Sequence, residues 1–335
     1  FKPGKPVGLR VAIIGAGPAG LSCGAYLRRL GCGVTIYDRE KFPGGLNTFG
    51  IAEYKMSSKV SLDEVERNLR LGIELKLNVE VGKDVVPSDL LNQFDAVFLA
   101  IGLGETRALR IPGEDLPGVW DALSFIRLIK RRDIAAIGAS ACTIVIGAGN
   151  TSIDAVTQSK RTGAKKVVMA YRRSEKEMRA YDFEYKLAKQ DGAEFLWNVQ
   201  PLRVIGKTKV EGMEFLRADA PGSTFTVACD RLIKAIGQSK QLTLVKSLGL
   251  DLTNDGRVAV EARTLRTSNP KVFAGGDAVN GGKEVVNAAA DGKRAALGIW
   301  SALRPGQPVP PGNEYWVSTI DGRAVAPIPE RKNHA

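Results

Sequence analysis

Residues 11–20 read VAIIGAGPAG and residues 143–154 read TIVIGAGNTSID. Each sets an apolar, β-branched run before G-x-G, and the reading of these two stretches decides the fold. In the first copy, LRVAII (9–14) is predicted to be a buried parallel strand and GAGPAG a turn. LSCGAYLRRL then forms a helix with Leu21, Ala25, Leu27 and Leu30 on one face, and CGVTIYD (32–38) is a second strand ending in Asp38. Strand, glycine turn, helix, strand and terminal acid make a full dinucleotide-binding fingerprint. Gly15 permits the tight turn, Gly17 lets the backbone approach a pyrophosphate, and Gly20 lets helix and strand pack closely. The helix N-terminus offers unpaired N–H groups to negative charge. Asp38 can accept hydrogen bonds from ribose hydroxyls.

The second copy repeats the order: ACTIVI (141–146), GAGNTS, IDAVTQSKRTG and KKVVMAYRR (165–173). Gly147 and Gly149 keep the first two roles, while Ser152 replaces the third glycine and permits packing less closely. The next strand ends in YRR where the first copy ends in YD. A carboxylate would repel a ribose 2′-phosphate, whereas guanidinium groups pair with phosphate in bidentate fashion. Arg172 and Arg173 therefore read as 2′-phosphate readers, favouring NADP over NAD, against the alternative of a solvated arginine pair. A further repeat, DAVFLAIG (95–102) and DRLIKAIG (230–237), closes each unit with a strand and a glycine, Gly102 in the first, that allows a ligand close to the backbone. Two such units imply two dinucleotides, one a flavin and the other a nicotinamide.

Residues 272–295 read VFAGGDAVNGGKEVVNAAADGKRA. An apolar strand runs into Gly275, Gly276 and Asp277, and Asp277 can bond a polyol such as a ribityl chain. The helix starting near Glu284 aims its positive end at what precedes it, which would favour a reduced isoalloxazine. Ala288, Ala289 and Ala290 let that helix lie close to a flat ring. On the residues alone, a plain helix N-terminus after a short loop stays equally open.

Composition removes other classes. The chain has 335 residues, 44% hydrophobic and 25% charged, which fits two globular domains and neither disorder nor a membrane protein. No apolar run approaches the roughly 18 residues of a spanning helix, the start shows no basic-then-apolar pattern of the kind a leader has, and a cytoplasmic location is expected. The chain opens at Phe1, which reads as a chain whose N-terminal piece has been removed. Cys23, Cys32, Cys142 and Cys229 form no C-x-x-C pair, which argues against a redox dithiol, a zinc site or an iron–sulfur cluster held by this chain alone. No metal site is assigned. The only histidine, His334, stands beside the C-terminus, so histidine acid–base catalysis is excluded and a bound cofactor carries the chemistry. No catalytic side chain is assigned. The net charge of +12 is spread over KRR (130–132), KR (160–161) and KK (165–166) without interleaved aromatics, a solvated basic surface rather than a nucleic-acid site.

The order VAIIGAGPAG, YD, GGL, AIG, IPGEDLPGV, VIGAGNTSID, YRR, AIG, VFAGGDAV, over residues 9 to about 303, resembles the FAD- and NAD(P)H-binding electron-input proteins. That family includes the small subunit of glutamate synthase and the corresponding part of dihydropyrimidine dehydrogenase. GGLNTFGIAEYKM (44–56) and the GGKEVVNAAADGK helix most resemble the separate NAD(P)H-accepting subunit of bacterial dihydropyrimidine dehydrogenase. The resemblance implies that Gly15, Gly17, Gly20 and Asp38 hold the ADP half of FAD. Gly45 and Leu46 line its pyrophosphate and flavin, Gly102 approaches it, Gly276 and Asp277 meet the ribityl chain, and Glu284 and Val285 meet the pyrimidine edge. Gly147, Gly149, Asn150 and Thr151 hold the NADP pyrophosphate, and Arg172, Arg173 and Arg179 its 2′-phosphate. Family members generally carry an N-terminal cysteine-rich domain with two iron–sulfur clusters. The opening FKPGKPVGLR resembles the linker after such a domain.

The expected architecture is α/β: two Rossmann-like dinucleotide-binding domains, with the NAD(P) domain inserted in the FAD domain. The FAD domain is drawn at 1–120 and 266–303 and the NAD(P)H domain at 121–265, with IPGEDLPGV (111–119) and RTSNP (266–270) as crossing loops. Residues 304–335 are a linker and a tail, in which Tyr315 and Trp316 would dock on the body or a partner. The expected activity is hydride transfer from NADPH, or NADH, to FAD, with electrons passed to iron–sulfur clusters or a partner subunit. A thioredoxin-reductase-like dithiol enzyme lacks its C-x-x-C here. A stand-alone reductase of ferredoxin, a quinone or a small molecule and a non-catalytic NADP-binding module remain as alternatives.

Overall fold

The computed structural model describes residues 2–220 and 222–309, with the backbone of Thr319–Ile320 and Arg323–Ala324. The expected docking residues Tyr315 and Trp316 lie outside the described residues. The chain packs as two units, 1–47 with 59–103 and 240–335, and 48–58 with 104–239.

In the first unit the apolar run predicted from the sequence is strand β1 (Arg10–Ile14), buried along all but its first residue. The glycine turn leads into α1 (Pro18–Arg29), where Pro18 suits the first helical turn because its missing N–H would have no partner there. The chain continues through β2 (Gly33–Asp38), α2 (Ser58–Leu69), β3 (Glu74–Leu77) and β4 (Ala96–Leu99). After the second unit it returns as β13 (Val272–Ala274), a helical turn at Asp277–Asn280, and α6 (Val285–Leu303). The sheet order is β13-β4-β1-β2-β3, all parallel, with Ile14 opposite both Tyr37 and Leu99. The loop after β1 thus opens at the point where the strand order reverses, with β2 and β3 on one side of β1 and β4 and β13 on the other, the usual ligand crevice of such sheets.

The second unit repeats the plan. Strand β5 (Val119–Asp121) and α3 (Ala122–Lys130) precede β6 (Cys142–Ile146), α4 (Asn150–Arg161) and β7 (Lys166–Ala170). Helix α5 (Asp182–Gln190) and β8 (Glu194–Leu196) follow. An antiparallel meander comes next: β9 (Val199–Ile205), β10 (Gly212–Arg217) and β11 (Thr224–Ala228). Strand β12 (Arg231–Lys234) then closes the parallel order β5-β12-β6-β7-β8. Position for position, β6, β7, β8 and β12 stand where β1, β2, β3 and β4 stand in the first unit.

Contacts draw the units differently from the sequence reading. The chain passes between units at 47–48, 58–59, 103–104 and 239–240. IPGEDLPGV (111–119) therefore lies inside the second unit and RTSNP (266–270) inside the first. The unexpected piece is the strap 48–58. Phe49 is 4% exposed and its ring lies under the Arg127 guanidinium at 4.7 Å. The buried Lys130 ammonium donates to the carbonyls of Ile51 and Met56 at 2.9 and 2.6 Å. Burial lowers the Lys130 pKa, while Glu53 nearby works against that shift. No glycine or proline rule marks these boundaries, because they follow side chains that find partners far along the chain.

Helices α1 and α6 meet through small residues. A side chain on Gly292 would place its Cβ 2.1 Å from the Ala19 carbonyl, and Ser22 Oγ donates to the Ala289 carbonyl at 2.7 Å. Gly292→Ala must therefore separate the helices, at a cost of about 1–3 kcal/mol for overpacking. The expected result is a melting temperature lower by several degrees with secondary structure retained, read by circular dichroism.

Candidate functional site

The first loop is held by backbone contacts that leave no room for side chains. Gly15 has φ +108°, and a Cβ there would lie 2.3 Å from the Ala100 carbonyl oxygen. A Cβ on Gly20 would lie 1.9 Å from the Gly15 carbonyl, so the third glycine permits the turn itself as well as the packing. Gly17 differs: its nearest neighbour would be the Gly45 Cα, at 4.0 Å. It keeps bare backbone toward open space, a cradle that a ligand phosphate fits. Gly44 N–H donates to the Ala16 carbonyl at 2.8 Å, which brings the GGL turn against the loop. Gly102 has φ +65° and nothing within 4 Å of its would-be Cβ.

Asp38 ends β2 as predicted, but its carboxylate is already engaged. One oxygen accepts from Ala16 N–H at 2.6 Å and the other from Glu40 N–H at 2.8 Å. Burial raises its pKa, and these two hydrogen bonds oppose the shift. Each oxygen keeps a further lone pair for a ribose hydroxyl. The strand-end acid thus shapes the glycine loop.

Around β13 the structure adds a residue that the sequence reading missed. Asp291, in α6 and 4% exposed, accepts from Gly276 N–H at 3.0 Å and Asn280 Nδ2 at 3.2 Å, and pairs with Arg294. It anchors the GGD turn, in which Gly276 has φ +69°. The signal was a lone acid on a helix of alanines and glycines, legible only as a polar residue needing a partner. Asp277 accepts from Lys283 N–H at 3.3 Å, and burial raises its pKa. Glu284 caps α6, and Val285 opens it beside a cleft of ≈ 610 Å³ also lined by Pro18, Ser22, Gly44 and Asn47. Asn47 Oδ1 is buried there with no partner among the described residues, an acceptor set for a ligand donor.

The second loop answers the substitution at its third glycine position. Ser152 is fully buried, and its hydroxyl accepts from Gly149 N–H at 3.3 Å and donates to the Ala235 carbonyl at 3.2 Å. Rather than loosening the packing, it ties the loop to the end of β12. A Cβ on Gly147 would lie 2.3 Å from that same carbonyl, as one on Gly15 would from Ala100. Gly149 has nothing within 4 Å of a would-be Cβ, and neither has Gly237, whose φ is +89°, the counterpart of Gly102. The Asn150 side-chain oxygen accepts from Tyr181 N–H at 3.1 Å. Arg179 and Ala180 donate their N–H groups to the Ala148 carbonyl at 3.1 and 3.2 Å. The structure thus brings Arg179 to the loop opened by Gly147, Gly149, Asn150 and Thr151. Arg172 and Arg173 are exposed past the end of β7, adjoining β6. Arg173 stands 3.9 Å from Glu177, whereas Arg172 makes no ion pair among the described residues. The four cysteines are buried and unpaired, with Cys32 pushed up to about 11 and Cys229 to about 12 by burial, so none presents a thiolate.

Two Rossmann-like units, each with an open glycine cradle, define the class of two-domain flavoprotein reductases. Structural comparison agrees on the fold: FprA of Mycobacterium tuberculosis, solved in complex with NADPH, matches with a TM-score of 0.73 at 20% identity, over 89% of this chain and 85% of that one. The family model for pyridine nucleotide-disulphide oxidoreductases matches residues 9–292, and the chain belongs to that family. Among relatives, the glutamate synthase [NADPH] small chain of Escherichia coli (strain K12) is 38% identical over 329 residues, 89% of this chain and 70% of the relative. The NADP(+)-dependent formate dehydrogenase subunit beta of Moorella thermoacetica is 35% identical over 324 residues, 90% of this chain and 45% of the relative. The chain spans about half the length of several of the curated relatives it matches.

Ser152→Ala removes one hydroxyl that serves both Gly149 N–H and the Ala235 carbonyl. We expect a loss of about 1 kcal/mol and a thermal midpoint lower by about 2–4 °C, read by calorimetry, with the fold unchanged.

Proposed function

We propose that this chain is the FAD-bearing, NADPH-oxidising part of an electron-input oxidoreductase, which hands electrons to iron–sulfur clusters or a partner catalytic subunit. The observation that carries this reading is the asymmetry between two otherwise matched loops. Asp38 closes the first, beside a buried acceptor and a helix N-terminus, whereas exposed arginines close the second. FAD is assigned to Gly15, Gly17, Gly20, Asp38, Gly45, Leu46, Gly102, Gly276, Asp277, Glu284 and Val285. NADPH is assigned to Gly147, Gly149, Asn150, Thr151, Arg172, Arg173 and Arg179. When bound, the two cofactors supply hydride transfer from nicotinamide to flavin, chemistry that asks for no side-chain acid or base.

The chain's own part is binding and electrostatics. Asp38 holds Ala16 N–H in the first loop and can take a ribose hydroxyl. Asp291 keeps Gly276 in its left-handed conformation, so that Asp277 projects from a fixed turn. The 19 residues of α6 direct their dipole's positive end at the segment before Val285, where it favours negative charge. Arg172 supplies a guanidinium not committed to a carboxylate, and Arg179 is fixed to the loop through its backbone. The names of the relatives, a small chain and a subunit beta, support a partner subunit for this chain as well. A cytoplasmic location belongs with this reading, and no helix among the described residues is long and apolar enough to cross a membrane.

The purified chain should show flavin absorbance that NADPH bleaches without oxygen, and a chain unable to retain FAD would overturn the reading. Arg172→Ala should raise the KM for NADPH about 10-fold or more, the loss of a charge-assisted phosphate contact, while the KM for NADH stays within about 2-fold. Arg173→Ala should cost less, because Glu177 already occupies part of its charge. Equal effects on both nucleotides would remove the 2′-phosphate role.

A further inference from the structure

Among the described residues, a buried charge cluster outside the two loops belongs to the strap. Lys55 Nζ lies 2.6 Å from Asp154 Oδ1 and 2.7 Å from Glu184 Oε1, and those two carboxylate side chains are 8% and 6% exposed. Tyr54 OH donates to the same Asp154 oxygen at 3.1 Å, and the Arg161 guanidinium sits 4.7 Å from the Tyr54 ring centroid. Taking such charges out of water often costs as much as their attraction returns. Stability alone therefore does not explain the cluster, and the question becomes what it orients.

Both carboxylates lie beside the second loop. Asp154 is one helical turn into α4, which Asn150 and Thr151 open. Glu184 is in the first turn of α5, directly after Tyr181, whose N–H holds the Asn150 side chain. Arg179 and Ala180, just before, are bonded to Ala148. One ammonium thus joins the two segments from which Asn150, Thr151 and Arg179 reach a ligand.

We propose that Lys55 is a positioning residue of the nucleotide site: by joining Asp154 to Glu184 it holds the start of α4 against the start of α5 and sets the phosphate cradle. The inference rests on reading the second loop as the NADPH site. Lys55 itself touches no nucleotide and acts through the two carboxylates.

Without the ammonium, Asp154 and Glu184 face each other. The other ionisable groups around them are Tyr54 and Glu53 on the strap, Lys130 on α3 and Arg161 on α4. Lys130 is committed to two carbonyls and Glu53, and Arg161 to Asp191 at 2.9 Å. Like charges so placed repel each other, and a proton on either carboxylate removes that repulsion.

The test uses the full FAD-loaded chain, with NADP+ titrations and steady-state NADPH kinetics from about pH 5.5 to 8.5. In Lys55→Met the Kd for NADP+ should rise about 10-fold at the upper end, with kcat at saturating NADPH within about 3-fold of wild type. The defect, taken relative to wild type at each pH, should shrink as the pH falls and a proton replaces the missing cation. Lys55→Arg should restore the Kd to within about 3-fold. Glu184→Gln is nearly isosteric, keeps the Lys55–Asp154 pair, and should raise the Kd about 3-fold or more. It decides alone if Lys55→Met does not fold. Wild-type affinity in the folded variants, a defect independent of pH, or no rescue by arginine would overturn the proposal. A wild-type chain that binds no NADP+ would instead overturn the reading of the loop, and shows before any substitution is made.

Discussion

A carbonyl oxygen lies where a side chain on Gly15 would have to go, and a second one occupies the same place beside Gly147. Each oxygen belongs to the residue just past the neighbouring parallel strand, Ala100 after β4 and Ala235 after β12. The tight passage from strand to helix therefore depends on the strand beside it as much as on the loop's own residues. With φ at +108° and +131°, any other residue would add backbone strain of about 1–3 kcal/mol to the clash. Everything that could receive a dinucleotide is hung from these two contacts: the helix N-termini, the bare faces of Gly17 and Gly149, and the open approaches at Gly102 and Gly237.

The two copies then diverge in ways that local chemistry explains. At the third glycine position the first loop has no space, and Gly20 is required. The second has space for Ser152, whose hydroxyl takes the place of a direct backbone contact and bonds both the loop and the strand end. At the strand end, Asp38 turns inward to Ala16 N–H, while Arg172 points to no carboxylate. The first loop is thus closed on itself by its acid, and the second presents uncommitted positive charge at its rim.

Much of this was legible in the residues. The strands around both loops, their parallel order and the repeated A-I-G ends follow from continuous apolar runs bounded by glycine, a pattern that local sterics enforce. The roles of Asp291 and Lys55 were not legible, because a buried charge is recognised by its partner and the partners stand in other elements. The boundaries at 103–104 and 239–240 escaped for a related reason. Proline- and glycine-rich stretches mark where a chain can turn, and a unit boundary is where contacts change sides.

By itself the sequence determined the two α/β units, the positions of their phosphate loops and the acid-versus-arginine difference between them. These depend on periodicity, glycine and charge within short windows. Only the tertiary structure decided that eleven residues of strap, 48–58, pack with the second unit, that Asp38 serves its own loop, and that one lysine joins the helices α4 and α5. Each of those depends on a side chain meeting a partner that no local pattern names, at a cost in desolvation that only the folded surroundings offset.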